Sequence, residues 1–263
     1  MDAKSDVIVI KIGGKPATND AVQRLFAGDL SVLAASSRVV IVHGGGAEVS
    51  RVSKALGLEP EFRDGIRMTT PAEMDIVDMV LAGKVNKEIT RRFISCGVSA
   101  FGLSGVDGSL FTGRSLGTAE ENRTGHVASV DTRPLDVLLA AGYVPVIASV
   151  SIDNAGNGIN INADEAALDI ATALSAHSLL FLSDIPGIIL GGNVASTLTE
   201  ADIEREITAG TISGGMIPKA RSSAAALRRG VREIVIGEFN VAGDLERLLS
   251  GRQGTRINQE QLA

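Results

Sequence analysis

The run Ile41-Val42-His43-Gly44-Gly45-Gly46 carries an aliphatic strand straight into three glycines, and a helical pattern begins at Ala47. A strand that passes at once into a helix is the building unit of an α/β chain. Glycine has no Cβ, so such a turn can bring bare backbone N–H groups against a ligand. Those groups sit where a helix starts, a place that favours an anion. The same succession occurs where Val7-Ile8-Val9-Ile10-Lys11-Ile12 meets Gly13-Gly14, and Gly214-Gly215 precedes the helical run that holds Lys219. Glycine turns with two lysines point to a group carrying several negative charges, such as the phosphates of ATP.

Strand and helix patterns alternate along the chain. Strands are predicted at 7–12, 39–43, 100–103, 144–148, 178–182 and 233–236. Helices are predicted at 19–35, 47–56, 71–95, 135–141, 164–174, 199–209, 216–229 and 244–249. This alternation implies a largely parallel sheet with helices on both faces. Thr70, Pro71 and Glu73 read as a helix start with a capping box. Gly57 and Gly97 punctuate helix ends. Two regions interrupt the alternation: a short hairpin over Glu61–Thr69, turning at Asp64-Gly65, and glycine-rich antiparallel hairpins over Asp107–Val130. No flexible linker divides the chain, so two lobes are expected to share one continuous sheet.

Composition narrows the function. With 263 residues, 44% of them hydrophobic, the chain can bury a large core. It has no Trp and one Tyr, Tyr143, which disfavours an aromatic platform for single-stranded nucleic acid. The net charge of −6, with no block of Lys/Arg, disfavours polyanion binding. Any anion site must come from individually placed cations and backbone amides. Cys96 is the only cysteine, so no internal disulfide can form, which suits a reducing compartment. No segment has the length and apolarity of a membrane span or signal-peptide core. A cytoplasmic location is expected.

Several residues stand at the carboxyl ends of strands, where open α/β sheets bind ligands. Lys11, next to Gly13-Gly14, can reach a phosphoryl oxygen; otherwise it is a surface lysine. His43 reads either as a catalytic group or as a packed strand-end histidine. No G-x-S-x-G pentapeptide is present to support a hydrolase, and neither a dinucleotide G-x-G-x-x-G nor a P-loop pattern follows the first strand. Arg67 can hold a carboxylate through paired hydrogen bonds, or be a solvated side chain. Within Asn160-Ile161-Asn162-Ala163-Asp164, Asn162 or Asp164 can also cap the following helix. Lys219, one turn into its helix, places an ammonium beside a positive helix end, which an anion would make favourable.

Together, Lys11-Ile12-Gly13-Gly14, Val42-His43-Gly44-Gly45-Gly46, Gly65-Ile66-Arg67-Met68-Thr69, Gly83-Lys84-Val85-Asn86-Lys87, Asn160-Ile161-Asn162-Ala163-Asp164, Ser183-Asp184-Ile185-Pro186-Gly187 and Gly214-Gly215-Met216-Ile217-Pro218-Lys219 resemble the signatures of the amino-acid kinase superfamily. The likeness is greatest to acetylglutamate kinases and runs from about Ile8 to Ile257. It implies an αβα sandwich of three layers around a mainly parallel sheet. An acetylglutamate-binding and dimerisation lobe would span 1–174, and an ATP-binding lobe 175–263. It implies transfer of the ATP γ-phosphoryl group to the side-chain carboxylate of N-acetyl-L-glutamate, a step of arginine biosynthesis. By the resemblance, Lys11 and Lys219 flank the phosphoryl group and Asp164 orients them. Gly45, Gly46, Arg67 and Asn160 line the acceptor site. Gly13, Gly14, Asp184, Ile185, Gly187, Ile189, Thr211, Gly214, Gly215, Met216 and Lys219 line the nucleotide. Mg²⁺ would ride on the phosphates, mainly through water, with no metal site of the protein's own.

An ionised carboxylate acceptor needs no general base, so positioning and charge stabilisation can carry the reaction. Val106 and His126 stand where the family more often has Lys and Phe. The first strand begins close to Met1, without the N-terminal helix that links arginine-inhibited relatives into hexamers, so a plain homodimer is expected. Two rival readings stay in view. One is a carrier-linked aminoadipate or glutamate kinase of lysine biosynthesis, which the balanced charge of 113–125 disfavours. The other is a non-catalytic amino-acid sensor of the same fold, which the presence of both lysines disfavours.

Overall fold

Each predicted strand forms, within two residues of its expected ends: Val7–Ile12, Arg38–His43, Ala100–Ser104, Val144–Ala148, Ser178–Ser183 and Glu233–Glu238. The computed structural model describes residues 7–63, 66–118, 121–214 and 216–258. The predicted hairpin tip at Asp64-Gly65 lies outside the described residues. The chain forms two units, one of residues 1–39 with 170–263, the other of residues 40–169. The units therefore do not follow chain order.

In the first unit the strands run in the order Thr197–Leu198, Thr255–Asn258, Glu233–Glu238, Ser178–Ser183, Val7–Ile12. Val7–Ile12 and Glu233–Glu238 each pair in parallel with Ser178–Ser183. Thr255–Asn258, outside the predicted set, pairs antiparallel with Glu233–Glu238. The three central strands, Val7–Ile12, Ser178–Ser183 and Glu233–Glu238, are largely aliphatic and buried, as parallel strands covered by helices must be. The helix Asp20–Ala34 is anchored by Asp29, whose carboxylate accepts from the backbone N–H groups of Gly243 and Leu245. Phe26 meets Phe239 edge to face, with ring centres 5.4 Å apart.

In the second unit Arg38–His43 and Ala100–Ser104 pair in parallel on either side of Val144–Ala148. Glu61–Arg63 and Ile66–Met68 form the expected antiparallel pair. Phe111–Ser115 and Thr124–Val130 also pair antiparallel as expected, but they go further. They close into a four-stranded barrel with Val150–Ile152 and Gly158–Ile161. Two of the barrel's pairings are parallel and join segments distant in sequence. The helix predicted at 71–95 is continuous but not uniform: Pro71–Val77 passes into a π-helical stretch, Asp78–Val85, then into Asn86–Ser95.

The helix start at Thr70 differs from expectation in one bond. Thr70 Oγ1 accepts from the Glu73 N–H at 3.2 Å, but the return bond of a capping box is not made. The Glu73 carboxylate turns instead to Arg67. A full capping box forms elsewhere, between Thr199 and Asp202 at the head of Glu200–Thr208.

Candidate active site

The first unit gathers the phosphate-binding candidates. Lys11, next to last in its strand, lies opposite Phe181 in the parallel register. Its Nζ folds over the following turn, 2.7 Å from where a Cβ on Gly13 would stand, so any larger residue there would displace the ammonium. Gly14 has φ +57°, and a Cβ on it would collide with the Asp184 carboxylate. The glycine pair is therefore needed both for the turn and for the close approach of Lys11 and Asp184. Lys219 comes from the far end of the chain, in the helix Met216–Arg228, and its Nζ stands 5.0 Å from the centre of the Phe181 ring. Thus Lys11 and Lys219, 208 positions apart in the sequence, both belong to the neighbourhood of the strand Ser178–Ser183: Lys11 is the ladder neighbour of Phe181, and the Lys219 ammonium stands over its ring. The ring face attracts an ammonium.

The candidate nucleotide segments flank this pair. Ser183–Gly187 leaves the strand end, and Ile188 N–H donates to Thr255 Oγ1 at 2.8 Å. Gly187 packs so closely on Thr255 that its missing Cβ would sit 2.6 Å from that oxygen. Ile189, half exposed, opens a small hairpin with Asn193–Val194. Thr211 is exposed and Gly214 has φ +56° before the helix at Met216. Gly215 lies outside the described residues.

The second unit gathers the acceptor candidates. Gly45 precedes the helix Gly46–Ala55, and a Cβ on it would lie 2.7 Å from Leu81 Cδ2. Leu81 belongs to the π-helical stretch, which presses it and Val85 against the glycine loop. Arg67 is 8% exposed and not solvated. Its Nη1 donates to Glu73 Oε1 at 2.7 Å, and its Nη2 to Gly46 O at 2.9 Å and to Ser50 Oγ. The Phe62 ring centre lies 4.8 Å from its guanidinium carbon. Asn160 Nδ2 donates to Thr69 Oγ1 at 2.9 Å. Thr124 ties the two segments, its hydroxyl donating to Arg67 O and accepting from Thr69 N–H. Asn162 caps the helix Ala163–Ala173 by accepting from Asp164 N–H at 2.8 Å, so the cap is Asn162 and not Asp164.

His43 is structural. It is fully buried, Nδ1 lies 2.8 Å from Gly44 O, and Nε2 lies 3.0 Å from Asn86 Nδ2. A carbonyl on one side and an amide N–H on the other select the neutral ring protonated at Nδ1. Burial pushes its pKa down to about 4, against the smaller raising effect of the Gly44 carbonyl. His126 lies 2.8 Å from Glu165, which also accepts from Val127 N–H.

The sequence carries no sign of the tertiary contacts of Ser50 and Thr69 around the acceptor candidates or of Phe181 beneath Lys219, and it shows Glu73 only as a capping residue. Ser50 leaves a local trace, one helical turn beyond Gly46.

Residues 6–238 match the model of the amino acid kinase family. The chain is 37% identical over 253 residues to an acetylglutamate kinase of Rubrobacter xylanophilus, covering 96% of this chain and 97% of that one. It is 45% identical over 213 residues to an acetylglutamate kinase of Chloroflexus aurantiacus, covering 78% and 81%. Among solved structures, smu.665 from Streptococcus mutans UA159 superposes with a TM-score of 0.77 at 26% identity, covering 96% of this chain and 98% of that one. A family model matched over residues 6–238, together with acetylglutamate kinases 37% and 45% identical over most of their length, makes this protein a member of the amino acid kinase family, on its acetylglutamate kinase branch.

Proposed function

We propose that the protein transfers the γ-phosphoryl group of ATP to the side-chain carboxylate of N-acetyl-L-glutamate, a step of arginine biosynthesis. The observation that supports this reading is that the Lys11 ammonium lies over the Gly13-Gly14 turn while Lys219 stands over the ring of Phe181, the ladder neighbour of Lys11. A carboxylate oxygen attacks the γ-phosphorus, the bond to the β-bridging oxygen breaks, and ADP leaves. The attacking group is ionised at neutral pH, so no proton must be removed. What the chain must supply is charge stabilisation and positioning. Lys11 and Lys219 neutralise the charge that spreads over the transferring group. Backbone N–H groups of Gly13 and Gly14 add fixed dipoles, and Asp164 belongs to the same machinery as the carboxylate that orients the lysines.

The nucleotide is read as held by Asp184, Ile185, Gly187, Ile189, Thr211, Gly214, Gly215 and Met216, on the 175–263 part of the chain. The acceptor is read as held by Gly45, Gly46, Arg67 and Asn160, within 1–174. Mg²⁺ would arrive with ATP and ride on the phosphates, mainly through water.

A homodimer in the cytoplasm completes the reading. Met79, Ile94, Phe101 and Tyr143 are exposed apolar residues of the second unit, and Phe101 and Tyr143 meet edge to face. A second copy would cover such side chains. Sedimentation with and without arginine measures the assembly. The function is tested by a kinase assay offering N-acetyl-L-glutamate, glutamate, aspartate, carbamate and UMP as acceptors. Preference for any acceptor other than N-acetyl-L-glutamate overturns the reading.

A further inference from the structure

Glu73 stands at the third position of its helix, where a glutamate normally reaches back to the cap. Here it does not. Its carboxylate meets Arg67 Nη1 at 2.7 Å, and the two side chains are only 6% and 7% exposed. Together the Glu73, Gly46 and Ser50 contacts use three of the five N–H bonds of the guanidinium. They also fix its plane, with Phe62 against it. The guanidinium is thus oriented and electrically balanced before any ligand arrives.

We propose that Glu73 is a positioning residue that makes acceptor recognition selective. This rests on the reading of Arg67 as an acceptor-binding group. Glu73 acts through Arg67 in two ways. It aims the remaining N–H bonds, so the acceptor's α-carboxylate meets donors already in place. It also cancels the arginine's charge, so the site is neutral when empty. A bare buried cation would take up any small anion, whereas a neutral, oriented pair rewards only an anion placed to meet an N–H bond left open.

The test compares Glu73→Ala, Glu73→Gln and Arg67→Lys by steady-state kinetics, with inorganic sulfate as competitor against the acceptor. Glu73→Ala frees the guanidinium, and the acceptor KM is expected to rise about tenfold or more while kcat and the KM for ATP move by less than about threefold. Glu73→Gln keeps an oxygen for Arg67 Nη1 and is expected to rescue most of that loss. It leaves the arginine's charge uncancelled, so sulfate should compete at a Ki about tenfold lower than in the unsubstituted protein. The proposal is overturned by a folded Glu73→Ala protein with an unchanged acceptor KM. It is equally overturned by one in which both KM values and kcat move together, the mark of a merely structural defect. Should Glu73→Ala fail to fold, the sulfate Ki of Glu73→Gln decides, and an unchanged value overturns the proposal. Arg67→Lys separates the two levels. If it raises the acceptor KM while the Glu73 variants do not, the role of Glu73 falls and the reading of Arg67 stands. If it leaves the acceptor KM unchanged, the reading of Arg67 itself falls.

Discussion

The two sets of candidate residues are built on opposite plans. In the first unit, Lys11 and Lys219 are carried by a strand end and a helix start, beside glycine turns whose job is to be small. In the second unit, Arg67 is carried by a three-residue strand and owes its place to side chains, Glu73, Ser50 and Phe62. The first plan sets Lys219 over an aromatic ring and Lys11 over a glycine turn. The second pairs its cation with a buried carboxylate. Phosphoryl transfer gains from charge that acts on the transition state, whereas recognition of a particular carboxylate gains from geometry. On the proposed roles the contrast divides rate from selectivity, and each half can be broken separately.

The largest effect is expected from Arg67→Ala. It leaves the Glu73 carboxylate buried without its partner, and breaking a buried pair in this way costs about 3–5 kcal/mol of stability. Urea unfolding measures it, and a loss under about 1 kcal/mol would show that Glu73 finds water or another donor. Lys219→Ala is expected to do the reverse. It removes a cation from the transition state, lowering kcat by about 10²–10³-fold, as for the loss of one donor to a developing charge. Loss of its contact with the Phe181 ring should cost about 0.5–2 kcal/mol of stability. Unchanged turnover in that variant would remove Lys219 from the mechanism.

The same contrast explains what could be read from the sequence. The first unit's candidates lie within short contiguous segments, because a strand, a glycine pair and a helix start are written in adjacent residues. Val7–Ile12 with Gly13-Gly14 needs no tertiary information to be read as a candidate phosphate turn. Phe181 escaped notice because an aromatic in an aliphatic strand reads simply as core. In the second unit the glycines and Arg67 were legible, but the arginine's state was not. Glu73 matched a capping box, and only the fold decides between a cap and an ion pair six residues back. The π-helical stretch was hidden for a similar reason. Its apolar residues fit an ordinary helical period, and the altered winding shows only where Leu81 and Val85 meet Gly45. The barrel's parallel pairings join residues as far apart as Thr124 and Asn160, beyond any local pattern.

A smaller effect tests whether the second unit's polar interior tolerates charge at all. His43 is held neutral, with its pKa lowered to about 4 by burial, whereas an unfolded histidine titrates near 6.5. Between those values the unfolded chain binds a proton that the native chain refuses. Stability is therefore full above pH 6.5 and falls as the pH drops toward 4, by at most about 3 kcal/mol from this group. Unfolding free energies of the unsubstituted protein and of His43→Gln, measured from pH 7 to pH 4, isolate the contribution. The unsubstituted protein should lose more over that range. Parallel curves would mean that the ring takes its proton in place, against the N–H of Asn86.

The smallest effect compares two helix caps that differ by one bond. Thr199 in the first unit caps with a reciprocal bond from Asp202, while Thr70 in the second unit caps alone because Glu73 faces Arg67. Replacing either threonine by alanine should cost about 1 kcal/mol, with the range for caps running from about 0.5 to 2. The reciprocal bond sets the order. Thr199→Ala leaves Asp202 with the backbone N–H of residue 199 but removes the hydroxyl from both of its contacts with Asp202. Thr70→Ala removes one acceptor and leaves the ion pair beyond it intact. Thr199→Ala should therefore be the costlier change by a few tenths of a kcal/mol. The reverse order, read from denaturant midpoints at equal m-values, would mean that the Thr70 bond also holds Glu73 in line for Arg67. The second unit's cap would then be part of its acceptor site, and the division between scaffold and recognition would be narrower there than in the first unit.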